Sequence, residues 1–268
     1  MKNLAILSIQ DVSFSYGRHE VIHNLSLDIE KCEFVGIIGP NGSGKSTLLK
    51  ISAGFFKPDK GNVLFLGKDL RSYNVKDLAK DIATMPQSMD VFFPYSVEDF
   101  IYIGRYPHTD SIFFKKKTDD DFIRYIMETI DIGHLTGRRI TDLSEGERQM
   151  VFLGQCIAQD PALMLLDEPV SHFDIRYQIK TLDILKDLNK DGLTIVVVLH
   201  DLNLASEFCS RIVLVSDGRI YRQGTPDEVL TYKNIEDVYK TVVVVKENPI
   251  SGKPFIIPIS SRYLKNLP

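Results

Sequence analysis

The apolar and polar positions of the chain fall into three rhythms. Alternation with a period of two runs over residues 4–14 and 21–30, where Leu25, Leu27 and Ile29 share one side. The break at Gly17 makes this an antiparallel strand pair. Continuous apolar runs at 34–38, 162–166, 194–199 and 211–215 predict short buried strands of a mostly parallel sheet. Helical spacing predicts helices at 46–53, 75–81, 97–104, 119–130 (Phe122, Ile123, Ile126, Met127, Ile130), 144–159, 174–190 and 202–209, and another after Pro226. Ser96 and Asp99 are spaced as a capping box that opens the third of these. After a turn at 57–61, residues 62–68 resemble one arm of a hairpin, and 82–87 a short strand closed by Pro86. Asp217-Gly218 marks another hairpin, and 241–268 an extra β-ribbon turning at Ser251-Gly252-Lys253-Pro254.

From about 88 to 140 the strands give way to helices dense in aromatic residues: Phe92, Phe93, Tyr95, Phe100, Tyr102, Tyr106, Phe113 and Phe114. Most would pack a small helical core. In so small an insert some must reach the surface, which suits docking of a partner. The sequence therefore predicts an α/β fold with a phosphate-loop NTPase core, an N-terminal antiparallel β-subdomain and an inserted helical subdomain. Residues 1–87 and 162–240 would form the core, 88–161 the insert and 241–268 the ribbon. No repeat or linker divides the chain.

Composition narrows the function. A length of 268 residues supports a full-sized core, with 44% hydrophobic and 25% charged residues. A net charge of −4 offers no bulk attraction to nucleic acid, and Lys115-Lys116-Lys117 is a solvated turn too short to change that. No apolar run approaches the roughly 18 residues of a membrane span, and residues 1–7 lack the apolar length of a signal peptide. Cys32, Cys156 and Cys209 are scattered and odd in number, as expected of reduced thiols in the cytosol.

The chemistry centres on Gly39, Pro40, Asn41, Gly42, Ser43, Gly44, Lys45, Ser46 and Thr47, which match the phosphate-loop pattern G-x-x-x-x-G-K-[ST] between a strand and a helix. Glycines let successive N–H groups point inward, and the helix N-terminus adds its positive end. Lys45 would reach the outer phosphates and the Ser46 hydroxyl would ligate Mg²⁺. Asp167 and Glu168 end an apolar strand, so their side chains diverge and can serve separately, Asp167 supporting Mg²⁺ and Glu168 orienting or deprotonating water. Gln87 and His200 also follow strands, and His200 suits a γ-phosphate sensor. Tyr16, beside Gly17, could stack on a purine, although a strand-end tyrosine more often covers a core.

In this order and spacing Gly39 to Thr47, Gln87, Leu143-Ser144-Glu145-Gly146-Glu147, Leu163 to Glu168, Ser171 to Asp174 and His200 resemble the motif series of the ABC ATPases. The pentad at 143–147, that family's signature, separates it from other phosphate-loop enzymes. The resemblance implies that Tyr16 stacks on adenine, while Lys45 and Thr47 hold phosphates. It gives Mg²⁺ and water to Ser46, Gln87 and Asp167, the general base to Glu168 and the γ-phosphate contact to His200. It also implies a homodimer in which ATP is clamped between 39–47 of one copy and 144–146, with Asp174 nearby, of the other. Ser144 opens a helix, so its hydroxyl and the first N–H groups would form an anion site with nothing of its own chain to bind.

Two positions depart from the family pattern. Glu145 replaces a usual Gly, and so must point away from phosphate or pair with a cation such as Arg148; at most, reduced turnover is expected. Phe173 replaces a usual Leu. The stretch Ile103-Gly104-Arg105-Tyr106-Pro107-His108 is similar to a segment of ATPases that serve importers of iron-siderophore complexes, haem and vitamin B12, and it also reads as a helix end followed by a proline turn. That resemblance implies a peripheral subunit on the cytoplasmic side of the cell membrane. It would meet a transmembrane permease through the helical subdomain and serve a periplasmic or extracellular solute-binding protein indirectly. The same architecture could serve molybdate or an unchelated metal. A DNA-repair ATPase would need a long coiled coil between Gln87 and Ser144, and a ribosome-associated factor a second cassette. A metabolic kinase would lack the 143–147 pentad.

Overall fold

The computed structural model describes residues 5–87, 93–109, 117–171, 173–260 and 262. Phe92, Phe113, Phe114, Lys115, Lys116 and His172, and the end of the expected ribbon, lie outside the described residues.

In chain order the elements begin with β1 (Leu7–Tyr16) and β2 (His19–Ile29), paired antiparallel from Leu7 against Ile29 to Tyr16 against His19. Next come β3 (Phe34–Ile38) and α1 (Lys45–Ser52), then β4 (Lys60–Phe65) and β5 (Lys68–Asp69). α2 (Val75–Asp81), capped by Asn74, runs straight into β6 (Ile82–Met85). α3 (Val97–Ile103) starts where Ser96 Oγ accepts from Asp99 N at 3.1 Å, and is followed by α4 (Lys117–Thr129) and α5 (Glu145–Ala158). β7 (Leu163–Asp167), α6 (Ile175–Lys190), β8 (Thr194–Val198), α7 (Leu202–Phe208), β9 (Arg211–Ser216) and β10 (Arg219–Gly224) continue the chain. After Pro226 the sequence pattern gives one helix, whereas the chain forms two, α8 (Pro226–Val229) and α9 (Tyr232–Tyr239). Thr231 re-caps the second by accepting from Asn234 N. β11 (Val243–Glu247) and β12 (Pro254–Pro258) form the expected antiparallel ribbon.

By compactness the chain divides into Met1–Asp69 with Val196–Pro268, and Leu70–Ile195. In the first unit β4 lies against the free side of β1 (Leu7 opposite Phe65), giving the antiparallel order β2-β1-β4-β5. β3 runs parallel to β9, and β9 antiparallel to β10. All five residues of β3 are buried, which is why its sequence shows no alternation. In the second unit β6 runs parallel to β7, from Ile82 against Leu163 to Met85 against Leu166, accompanied by α2–α6. Met150, Val151, Phe152 and Leu153 of α5 are buried there. Gly154 lets two neighbours close in: a Cβ on it would sit 2.9 Å from Ile130 Cδ1 and 3.3 Å from Ile101 Cδ1. Each such fully buried aliphatic side chain contributes about 1.5–3 kcal/mol of transfer free energy. No described helix is long and apolar enough to cross a membrane, and among the described residues no disulfide joins Cys32, Cys156 or Cys209, with burial pushing the Cys156 thiol up to about 12.

Candidate nucleotide site

The phosphate loop is shaped by a glycine with no room beside it. At Gly39 the chain leaves β3 with φ of +151°, and a Cβ there would lie 2.1 Å from Val215 O. The loop then folds over Lys45, whose buried Nζ donates to Gly39 O and Pro40 O, both at 2.9 Å. Ser43 N donates to Pro40 O at 3.2 Å, and Gly218 N, from the turn between β9 and β10, donates to Ser43 O at 3.1 Å. Asn41 and Gly42 are exposed at the tip. α1 starts at Lys45 behind Gly44 (φ +100°), and no side chain caps it. Ser43 Oγ, only 4% exposed, has no hydrogen-bond partner. A helix start without a side-chain cap, an orphaned buried Ser43 hydroxyl and a lysine folded back on its own loop fit the binding of a phosphate chain.

Tyr16 stands at this loop. Its hydroxyl is 3.4 Å from Thr47 Oγ1, and its ring is held edge-on by Phe14 (5.1 Å, 89°) and Phe56 (5.7 Å, 90°). At 47% exposure it keeps open surface on which a base can stack. In the same unit His200 is exposed just past the end of β8, and Asp201 caps α7 by accepting from Asn203 N and Leu204 N.

The second unit brings together the other sequence-marked groups. β7 is buried along its length and delivers Asp167 and Glu168, which are 6% and 7% exposed. Glu168 takes a left-handed backbone, φ +53°, which a side-chain-bearing residue adopts at a cost of order 1–3 kcal/mol. Gln87 Nε2 donates to Glu168 Oε2 at 2.8 Å, so the two groups named from distant parts of the sequence are in contact. Among the described residues no group of three or more His, Cys, Asp or Glu side chains is placed to hold a metal ion by itself. The donors expected for Mg²⁺ (Ser46 hydroxyl, Gln87 amide, Asp167 carboxylate) are all hard oxygens, a set that fits an ion held by one carboxylate and by substrate phosphates.

The signature helix corrects one expectation. Ser144 is not left without a partner on its own chain: its hydroxyl donates to Glu147 Oε2 at 2.7 Å, its N–H donates to the same oxygen at 2.8 Å, and it accepts from Glu147 N at 3.3 Å. Glu147, three residues into the turn, closes a capping box. Arg138 adds an ion pair at 3.0 Å. The Ser144 hydroxyl, the Ser144 N–H and then Arg138 hold the Glu147 carboxyl below its ordinary range. Of the two alternatives left open for Glu145, pairing with Arg148 is not the one found, since Arg148 donates to Leu143 O at 3.2 Å. Glu145 is exposed. Gly146 faces Phe173, whose ring lies 3.5–3.6 Å from where its Cβ would be, while Asp174 accepts from Tyr177 N and caps α6.

The stretch 103–108 grips the other end of α5. Gly104 approaches so closely that a Cβ would fall 2.2 Å from Gln155 O. Arg105 donates to Ala158 O at 2.9 Å, its guanidinium 5.1 Å from the Phe122 ring centre, and His108 Nε2 donates to Gln159 O at 2.8 Å. Arg105 and His108 thus donate to the last carbonyls of this helix. Gln159 in turn donates to Ala79 O and Ile82 O at the entry to β6. None of these partners is legible from spacing. The helix end and the proline turn are, but not what the turn holds.

An uncapped phosphate loop, a buried strand ending in Asp167-Glu168 and a capped 144–147 helix define a phosphate-loop ATPase of the cassette type. The chain belongs to the ABC transporter family, whose sequence pattern matches residues 22–171. It is an ABC ATPase. The ferric enterobactin transport ATP-binding protein FepC of Escherichia coli (strain K12) is 34% identical over 259 residues, 96% of each chain. A chain of a metal-chelate type ABC transporter in an inward-facing conformation is similar with a TM-score of 0.84 and 26% identity, over 97% of this chain and 99% of that one. The dimeric, post-hydrolysis cassette MJ0796 bound to ADP and Pi gives a TM-score of 0.73 and 26% identity over 82% of this chain and 98% of its own.

Proposed function

We propose that this chain is the ATP-hydrolysing subunit of an importer that takes up an iron chelate (siderophore or haem) or cobalamin. The observation that carries the reading is its likeness along nearly its whole length to an ATP-binding subunit of ferric-siderophore transport, with the Gln87–Glu168 contact and the uncapped phosphate loop both in place.

Within that reading Tyr16 stacks on the adenine. Gly39, Pro40, Asn41, Gly42, Ser43 and Gly44 line the phosphates, although Pro40 has no N–H and that of Ser43 is given to Pro40 O, and Lys45 and Thr47 add side-chain donors. Mg²⁺, when bound through Ser46, Gln87 and Asp167, neutralises charge on the phosphates. Glu168 takes the proton of the attacking water, Gln87 orients Glu168, and His200 contacts the γ-phosphate. The N–H groups of Glu145 and Gly146 have no intrahelical acceptor and lie beyond the reach of the Ser144–Glu147 box, so the signature helix can offer them to the nucleotide of a second copy. Two copies related by a two-fold axis complete one another in this way, and Asp174 lies on the same strip. The dimeric relative with ADP and Pi supports that arrangement. Residues 88–161, with Phe93, Tyr95 and Tyr106 exposed, are the surface for a transmembrane permease at the cytoplasmic side of the membrane. A periplasmic or extracellular solute-binding protein delivers the cargo.

The test is to co-purify the chain with its permease, reconstitute the complex in vesicles, and measure ATPase activity with solute-binding proteins carrying a ferric siderophore, haem, cobalamin, molybdate or a free divalent metal. Stimulation by one of the first three is expected. Stimulation confined to molybdate or the free metal overturns the chelate assignment.

A further inference from the structure

Within the unit formed by Met1–Asp69 and Val196–Pro268, three rings from separate parts of the sequence meet beside the phosphate loop. Phe14 and Phe56 lie parallel, with 5.2 Å between ring centres and 8° between planes. Tyr16 stands perpendicular to both, at 5.1 Å and 89° from Phe14 and at 5.7 Å and 90° from Phe56. Offset-parallel and perpendicular pairs are the arrangements that the charge distribution of aromatic rings favours. Phe14 and Phe56 are half-buried and Tyr16 is exposed, so the two phenylalanines take the inner positions and the tyrosine the outer one.

Phe14 and Tyr16 are two residues apart at the end of β1 and meet as same-side neighbours of a strand do. Phe56 is brought to them by the end of α1. Gly54, with φ of +78°, donates its N–H to Ile51 O at 3.0 Å, and Phe55 N donates to Lys50 O at 2.9 Å, the two bonds of a Schellman turn closed by a left-handed glycine. Phe56 N donates to the same Lys50 O at 3.4 Å, and Lys50 Nζ lies 5.8 Å from the centre of the Phe56 ring. A little further on Asp59 N donates to Ser13 O at 2.8 Å, where the chain enters β4 alongside β1. Phe56 is therefore pinned between the C-terminus of α1 and the strand that pairs with β1. The first turn of the same helix carries Lys45, Ser46 and Thr47, and the Tyr16 hydroxyl is 3.4 Å from Thr47 Oγ1. One helix thus sets the phosphate-loop residues at its start and the support of the tyrosine at its end.

We propose that Phe56 is a positioning residue for the base: with Phe14 it holds the Tyr16 ring perpendicular to their own pair, so that the open surface of the tyrosine is pre-set for the adenine. The proposal rests on the reading of Tyr16 as the adenine contact and adds the residue that orients it, which stands outside the motif series. A tyrosine free to turn would lose side-chain entropy each time a base ordered it. One already held by two rings loses less, and the difference appears as nucleotide affinity. The effect belongs to the base alone, because the triphosphate is held by the loop and not by these rings.

Full-length chain in complex with its permease is assayed for ATP Kd, KM and kcat, and for inhibition by inorganic tripolyphosphate, which has the phosphates without the base. Phe56→Leu keeps an apolar side chain and removes the ring. It should raise the ATP Kd and KM by about three- to tenfold, the worth of an aromatic pair, with kcat and the tripolyphosphate constant within about twofold. Phe56→Tyr keeps the ring and should stay within about twofold of wild type throughout. In a Tyr16→Ala background Phe56→Leu should weaken ATP no further, because the ring it supports is gone. Should Phe56→Leu not fold, Phe56→Met supplies the same comparison. Wild-type ATP affinity in Phe56→Leu overturns the proposal. So does an equal weakening of ATP and tripolyphosphate, the mark of a distorted phosphate loop, or a full further loss in the Tyr16→Ala background. Tyr16→Ala by itself separates the two possible failures. Unchanged ATP affinity in that variant sinks the adenine reading, whereas weakened affinity there beside wild-type affinity in Phe56→Leu sinks only the positioning role.

Discussion

Glu168 combines burial, a left-handed backbone and one amide partner, and each feature bears on the work of a general base. The left-handed backbone stands one residue past the end of β7, at Asp167. The Gln87 amide, donating at 2.8 Å, fixes the Glu168 rotamer. Glu168→Gln keeps the shape and removes the basicity. It should bind ATP with ordinary affinity and hydrolyse it about 10²- to 10⁴-fold more slowly. Single-turnover phosphate release measures this, and turnover near wild type would remove Glu168 from the role. The adjacency of Asp167 and Glu168 is visible in the sequence, as is Gln87 at a strand end. Their contact is not, because 81 residues separate Gln87 from Glu168.

At the level of elements, α5 is held at both ends by side chains: the Ser144–Glu147 box with Arg138 at one, Arg105 and His108 at the other. The Glu147 carboxyl is held low, first by the Ser144 hydroxyl, then by the Ser144 backbone and Arg138. A carboxyl whose folded-state value lies below its unfolded one contributes stability above the unfolded value, about pH 4.3, and loses it as pH falls through the folded value. Glu147→Gln should therefore flatten the part of the acid limb below about pH 4.3, and Ser144→Ala should cost about 1 kcal/mol at neutral pH. Denaturant titrations across this range measure both. An acid limb unchanged in Glu147→Gln would show that the box carries no charge-dependent stability. The serine and the Glu three residues on have in the sequence the same capping-box spacing as Ser96 and Asp99, so the expectation of an open anion site at Ser144 passed over a signal that was there. A capping box needs the Glu147 rotamer, and rotamers are set by neighbours such as Arg138 that spacing does not reveal.

For the whole molecule, the proposed dimer sets how activity scales with concentration. If two copies must close on the nucleotides, ATPase rate per subunit of the isolated chain should rise with protein concentration until the dimer saturates. Glu168→Gln should run as a dimer with ATP and a monomer without it in light scattering. A rate per subunit constant over about a hundredfold dilution would contradict the shared site.

The sequence by itself determined the elements and the family. Period-two alternation, unbroken apolar runs and helical spacing are local consequences of which face meets water, and the phosphate loop is one continuous segment whose chemistry is written in order. The three-dimensional structure alone decided which distant groups meet: β4 on β1, Gln87 on Glu168, Arg105 and His108 on the end of α5, Asn203 on Ile256. Each of these joins residues tens to hundreds of positions apart. The loop-closure entropy of such contacts is met by the packing of the entire core and not by anything in the residues' own neighbourhood, so no local pattern announces them.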